Sequence, residues 1–512
     1  MLGEVVCLVV LSVVFHSFFR RYQYHARRRG VPLPPGPPQD PLVGHLFKAP
    51  RAFQEDMFAD LAKKYGDVVY LTVLGKELVI LNTEQAALDL LEKRSLMYSN
   101  RPLLPLADMM GWGDCLAFLQ YGPTFQSTRR LFQQALTKGE CLKYREVQLR
   151  QARIMVQNFL NSPMEIETNM LRFANAIITE VTYGHKIMSG DDPYVARVDE
   201  LFDILNGMGD PGGTIIDVFP ILRYIPAWFP GAWYAKYARK YRPRVTTIVN
   251  EPFNEVKKSI AAGTAEPSFM ALHLEQMQHQ DDVGEDDIRR LKIAGFQLYG
   301  AGGETTSSSL FVFLLAMVHN PQVQKRAQAE IDRVVGNQRL PDFNDRDSMP
   351  YITAMVNEVV RWKPVVPLSL PHCATTDDVY NGMFIPKGAT MIPNVRHILK
   401  NPDVYHDPHS FEPERFLPKP EGYGEPLPHI AFGFGRRGCP GRVLAEATLW
   451  IGFASILAAF DIVPIKDTQG NDILPPMDFN VYLTSRPKPF ECTIRPRSAQ
   501  HASLIENGLI SL

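Results

Sequence analysis

The chain has 512 residues, beyond the length at which one hydrophobic core stops growing, so a peptide ligand or small scaffold is excluded and one large multilayered body, or two lobes around a cleft, is expected. Its 54 Lys and Arg against 55 Asp and Glu leave a formal charge of -1, which supplies no basic field for nucleic acid. With 45% hydrophobic and 21% charged residues the composition is that of a packed protein, and six scattered cysteines with no CxxC pair and no Asn-x-Ser/Thr acceptor argue against an oxidised, secreted life.

In chain order, residues 2–19 are mostly apolar and, at about 1.5 Å of rise per residue, reach across a thin bilayer of about 27 Å. Arg20, Arg21, Arg27, Arg28 and Arg29 follow, which by the positive-inside rule places the remainder in the cytosol and reads as a transmembrane anchor. A cleaved signal peptide is the alternative, but the charges lie on the wrong side of the apolar run and no A-x-A-like site follows it. Pro32-Leu33-Pro34-Pro35-Gly36-Pro37-Pro38 predicts a stiff, extended spacer, because each proline fixes φ and removes a donor.

Asp67 to Asn82 reads as a hairpin about Gly75 and Lys76. Helical periodicity then dominates. A helix of about 50 Å is expected from Glu285 to His319, acidic at its start and closed by Asn320 and Pro321. Others are expected from Pro321 to Val335 and from Pro350 to Trp362, the last stopped by Pro364. A β-rich stretch at 460–494 has Gly470 and Asn471 at a turn. The fold class is mainly α with small β-sheets, in one body without internal repeats.

The long helix contains Ala301-Gly302-Gly303-Glu304-Thr305-Thr306-Ser307-Ser308-Ser309. Two glycines cost about 1 kcal/mol each relative to alanine and the hydroxyls compete for backbone hydrogen bonds, so a kink or widening is expected here. The competing reading is a close helix crossing. Ala301 and Thr305 share a face, one leaving room for a ligand and the other offering a hydroxyl, and Gln297 lies one turn earlier on it.

The most informative stretch is Phe432-Gly433-Phe434-Gly435-Arg436-Arg437-Gly438-Cys439-Pro440-Gly441. It contains GxGxxG, but the preceding segment holds Gly422, Gly424, Pro426 and Pro428 where a dinucleotide fingerprint needs an apolar strand. Cys439 before Pro440 and a helical run is expected at the N-cap, where the helix dipole favours a thiolate. No second Cys or His lies at zinc spacing, and no base accompanies a nucleophilic cysteine. One thiolate among glycines, with Arg437 able to neutralise a carboxylate at a cofactor's edge, suits haem iron.

This stretch resembles the FxxGxRxCxG signature of the cytochrome P450 family at Phe432, Gly435, Arg437, Cys439 and Gly441, and the resemblance extends over nearly the whole chain. It implies the cytochrome P450 fold, with haem b held between the long central helix and the Cys439 loop, Cys439 being the axial iron ligand. In that family AGxxT lies over the distal haem face, which would make Thr305 the group holding dioxygen or its water and Glu304 a proton relay beside Ala301. Glu358 and Arg361, with Arg415 of Phe411-Glu412-Pro413-Glu414-Arg415-Phe416, resemble the ExxR and PERF elements, a buried structural triad. His372 after Pro371 would face a propionate. Arg129 looks like the arginine of WxxxR, although Phe125 stands where tryptophan is usual and cannot donate a hydrogen bond. Arg396 also stands where many relatives carry tryptophan.

The resemblance further implies an anchor at 2–19, a basic and proline-rich linker at 20–40, a catalytic domain at 41–498 and a tail at 499–512, with the endoplasmic reticulum membrane as location. The sequence style is closest to fungal microsomal members, which insert one oxygen atom from O2 into terpenoid, polyketide, steroid or polycyclic aromatic molecules. Electrons would come from NADPH through NADPH-cytochrome P450 reductase, with cytochrome b5 as an accessory donor. Phe219 to Tyr237 is read either as an access lip dipping into the interface or as an aromatic core segment. The loop from Leu103 to Leu119 is expected to roof the pocket. An O2-independent isomerase or dehydratase and a non-enzymatic haem sensor are the rivals; Thr305 with Glu304 speaks against the first, and the lack of a switch segment against the second.

Overall fold

The computed structural model describes residues 26–41, 43–48, 54–189, 192–209, 214–480 and 483–507. The anchor expected at 2–19 lies outside them. After a helical turn at 26–28, helix α1 (Gln54–Tyr65) leads into the expected hairpin of β1 (Val68–Val73) and β2 (Lys76–Leu81). Val73 pairs with Lys76, so the turn is Leu74-Gly75, one residue ahead of the expected position, and both turn residues take positive φ.

Helices α2 (Pro123–Leu136), α3 (Arg145–Asn161), α4 (Ile166–Tyr183), α5 (Pro193–Asn206) and α6 (Trp233–Ala261) follow. They surround α7 (Glu285–His319), whose bounds are those expected. The Asp287 carboxylate accepts from the Gly284 amide at 3.1 Å, and three acidic residues in the first turn favour the positive end of the dipole. Next come α8 (Pro321–Val334) and α9 (Pro350–Trp362). Both oxygens of Glu330 on α8 accept from the first free amides of α9, Tyr351 and Ile352, each at 3.0 Å.

Strands β3 (His372–Cys373) and β4 (Thr390–Pro393) complete a sheet of order β1-β2-β4-β3, in which only the β2–β4 pair is parallel. The chain closes with α10 (Arg442–Ala459), a two-stranded ladder of β5 (Phe460–Val463) and β6 (Thr493–Pro496), and α11 (Ala499–Asn507). The expected C-terminal tail thus opens as a helix, its start capped by Ser498 and its Ile505 buried. Helices α7 and α10 are long and apolar enough to cross a bilayer, yet most of that surface is buried in the protein, where Phe313 and Phe453 stack at 4.0 Å.

Two expectations are corrected. Helix α7 is α-helical throughout Gly302-Gly303, with no π-type widening, and the pair makes the competing close crossing with α4. A Cβ on Gly302 would lie 2.5 Å from Ile178 and one on Gly303 2.2 Å from Asn175. Pro32 to Pro38 is extended as expected but is no free spacer. The Tyr70 amide donates to the Pro35 carbonyl at 2.9 Å and the Phe384 amide to that of Pro32 at 2.7 Å, fastening the segment to β1 and to a separate two-stranded hairpin of residues 378–385.

Candidate active site

The central cavity, of about 320 Å³, lies between α7 and the loop before α10. Ala301 and Thr305 line it from one side, and Phe432, Cys439 and Gly441 from the other. Gln297 stands one turn before Ala301 on the same wall. Phe132, Ile177, Ile178, Leu298, Val365 and Val366 make much of the remaining lining apolar.

The Cys439 loop packs its backbone against a neighbouring segment at Gly435, where there is no room for a side chain. Gly435 has φ +48°, and a Cβ there would lie 2.6 Å from the Leu91 carbonyl oxygen. The Cys439 amide donates to the Phe432 carbonyl at 2.7 Å, closing the loop. Helix α10 starts at Arg442 with Gly441 as its N-cap, so Cys439 is not the cap residue as expected but stands two residues ahead of the cap, because Pro440 and Gly441 form a turn first. The sulfur is deep in the fold, and its exposed surface is cavity surface. Burial pushes the thiol up from its ordinary value, while the Gly441 amide and the charges of Arg129 and Arg442 oppose that shift.

Four basic side chains line the cavity: Arg101, Arg129, His372 and Arg437. No Asp or Glu joins them among the described residues. Arg437 donates to the carbonyls of Ser99 (2.7 Å), Leu116 (3.0 Å) and Leu119 (2.6 Å). Its guanidinium lies 3.9 Å above the Phe125 ring, so at this position phenylalanine supplies a cation–π face in place of a donor. Arg101 is held by the carbonyls of Ala117 (2.9 Å), Leu370 (2.6 Å) and Pro371 (2.8 Å). His372 is bound at Nδ1 to the Tyr98 carbonyl at 2.8 Å.

Burial depresses all four, and repulsion between the cations adds to it at Arg437, Arg101 and His372. Arg437 is pushed down to about 10 by burial and by Arg129, Arg101 is lowered by burial and Arg437, and His372 by burial and then Arg101. Arg129 is lowered by burial against the opposing charge of Cys439. Buried cations without an acid are costly. A flat ligand carrying two carboxylates and an iron that takes the sulfur would satisfy both the cluster and Cys439, so the residues present fit haem.

Thr305 Oγ1 donates to the Ala301 carbonyl at 2.8 Å, leaving the hydroxyl oxygen able to accept. Glu304 is not on the cavity wall. Its carboxylate is buried against Ser308 (3.3 Å) and Thr484 (3.4 Å), and burial raises it above the usual carboxylate range against the opposing charge of Arg486. Arg361 clasps Glu358 at 2.6 and 2.8 Å, and Arg415 reaches the same carboxylate at 3.3 Å, all three fully buried. Arg396 points away from the cavity and donates to Glu55 at 2.6 Å, tying its turn to α1.

Of the loop from Leu103 to Leu119, Leu116 and Ala117 reach the cavity. Within Phe219 to Tyr237, Ile221 (71%), Tyr224 (77%) and Trp228 (78%) stand exposed and Tyr234 is buried, which makes the segment mainly surface and only partly core. Sequence reasoning missed Arg101. It lies in a loop with no periodicity, and nothing local signals that Pro371 and Ala117 will meet it.

Residues 34–494 match the Cytochrome P450 family profile. Cytochrome P450 monooxygenase 208 of Postia placenta is 40% identical over 506 residues, 98% of this chain and 96% of the relative. A cytochrome P450 monooxygenase of Armillaria gallica is 38% identical over 97% of this chain and 98% of its own length. Cytochrome P450 monooxygenase claR of Ampulloclitocybe clavipes is 36% identical over 98% of this chain and 93% of its own. With the sulfur beneath α7 and a cation cluster lacking its acids, these matches establish that the chain belongs to the cytochrome P450 family of haem-thiolate monooxygenases.

Proposed function

We propose that this monooxygenase inserts one oxygen atom from O2 into a lipophilic molecule of terpenoid, polyketide, steroid or polycyclic aromatic type, on the cytosolic face of the endoplasmic reticulum. NADPH-cytochrome P450 reductase, with cytochrome b5 as accessory donor, would supply the electrons. The observation that carries the reading is that Cys439, Ala301 and Thr305 line one apolar cavity.

Haem bound there supplies oxygen activation, which a thiolate ligand favours by pushing electron density onto iron. Cys439 would hold the iron, and Arg101, Arg129, Arg437 and His372 would hold the carboxylates. Thr305 would accept and hand on a proton above the iron, its hydroxyl aimed by Ala301. Phe132, Ile177, Ile178 and Leu298 exclude water and select apolar substrates. Glu304 would join a relay only by turning from Ser308 and Thr484. The exposed Tyr224, Trp228 and Phe229 support a lip at the lipid interface.

The test is the reduced carbon monoxide difference spectrum of the purified full chain. A Soret band of thiolate-ligated haem is expected, and Cys439→Ser should abolish it. A band of histidine-ligated haem in the native chain would overturn the assignment. NADPH consumption with a reductase and a lipophilic library then identifies the substrate class.

A further inference from the structure

On the side of α7 turned from the cavity, three buried tyrosines meet. Tyr299 of α7 lies 5.8 Å from Tyr183 of α4 and 5.9 Å from Tyr194 of α5, and Tyr183 and Tyr194 are 6.1 Å apart between ring centroids. His185 stacks on Tyr194 at 4.3 Å and 20°, pairs with Asp192 at 2.9 Å, and is 38% exposed at its side chain. Aromatic contacts therefore run without a gap from the helix over the cavity to the surface.

The three phenols are not equivalent. Tyr299 donates to the Tyr194 carbonyl, a poor proton acceptor. Tyr183 has a buried hydroxyl with no partner among the described residues. Tyr194 donates to the carboxylate of the exposed Glu255 at 2.5 Å. A phenol gives up an electron far more readily when its proton has somewhere to go, and Tyr194 faces a base in Glu255. Arg197 lies 4.8 Å over the Tyr194 ring and disfavours a radical cation, so oxidation at this ring requires loss of the proton.

We infer that Tyr299, Tyr183, Tyr194 and His185 form an escape path for oxidising equivalents that no substrate consumes. The inference rests on the haem-thiolate reading of the cavity. Tyr299 lies two residues from Ala301 on the other side of a helix about 10 Å across with its side chains, a short span for electron transfer. One electron passes from Tyr194 through Tyr299 to the oxidant generated in the cavity. The Tyr194 phenolic proton moves to Glu255 and on to solvent, leaving a neutral tyrosyl radical. A thiol in solution returns one electron and one proton through the His185 edge, becoming a thiyl radical. A second electron follows by the same route from a second thiol, the two thiyl radicals pairing as a disulfide, and with two protons from solvent the oxidant's oxygen leaves as water, so the cavity chemistry is quenched without attack on the haem or the apolar lining.

The experiment uses the purified full-chain holoenzyme, treated with hydrogen peroxide without substrate and freeze-quenched for electron paramagnetic resonance. A tyrosyl signal is expected whose lifetime shortens on adding glutathione. Tyr194→Phe and Tyr299→Phe, which keep the packing, should lower its yield severalfold and speed haem bleaching. Glu255→Gln, at an exposed position, should also lower the yield while leaving the carbon monoxide band and melting temperature unchanged. An undiminished signal in both tyrosine variants overturns the path, as does the absence of any tyrosyl signal. The carbon monoxide band is recorded on the same sample. If the thiolate band is present, a missing radical sinks the path alone; if it is absent, the path and the haem-thiolate reading fall together.

Discussion

Glu304 and Thr305 are neighbours in sequence and opposites in environment, because adjacent positions on a helix point about 100° apart. Thr305 reaches the cavity; Glu304 is buried among Ser308, Thr484 and the field of Arg486. Its carboxyl is raised by burial, so folding penalises the charged form. Below the unfolded-state value of about 4.3 both states hold the proton and no penalty applies, whereas above the raised folded value the full penalty is present. Glu304→Gln should therefore raise the melting temperature relative to the native chain, by an increment that grows from pH about 4 to about 7. An increment that shrinks over that range would contradict the burial argument. Single residues were legible where a motif names them, as at Cys439 and Thr305. Arg101 was not, since three carbonyls from distant segments define its place, nor was Arg396, whose partner Glu55 lies on α1.

At the scale of elements, the bounds of α7 and α9 were readable because their stops are local: Asn320-Pro321, Pro350 and Pro364 act through their own backbone. The character of α7 at its glycines was not. Propensity alone expects weakness there, but α4 packs so closely that the missing side chains define the crossing. Gly302→Ala should thus destabilise the fold by about 1–3 kcal/mol, as overpacking does, despite alanine's better helix propensity. Because Ile178 is the side chain in the way and also lines the cavity, the same change should narrow the space above Cys439 and shift selectivity toward smaller substrates. Denaturant midpoints and a substrate size series measure the two effects; a stabilised variant would refute the packing account.

For the whole molecule, the composition indicated a large, neutral, packed protein, and the mainly helical body with small sheets agrees. Its surface chemistry was open in the sequence, where Phe219 to Tyr237 read either as a lip or as core; in the fold no described element covers Tyr224, Trp228 and Phe229. A chain lacking residues 1–25 should fold, take up haem and still partition partly onto phospholipid vesicles. Tyr224→Ser combined with Trp228→Ser should release it to the supernatant in a sedimentation assay. Equal binding of both proteins would place membrane contact elsewhere.

The strapping of Pro32 and Pro35 to Phe384 and Tyr70 bears on mechanics. A leash allows a body to swivel, whereas a strut bonded at two points, one on β1 of the sheet and one on the neighbouring hairpin, passes torque. Whatever grips the amino terminus therefore also sets the heading of the sheet, and the tilt of the catalytic body is decided at its own wall, not along a slack tether.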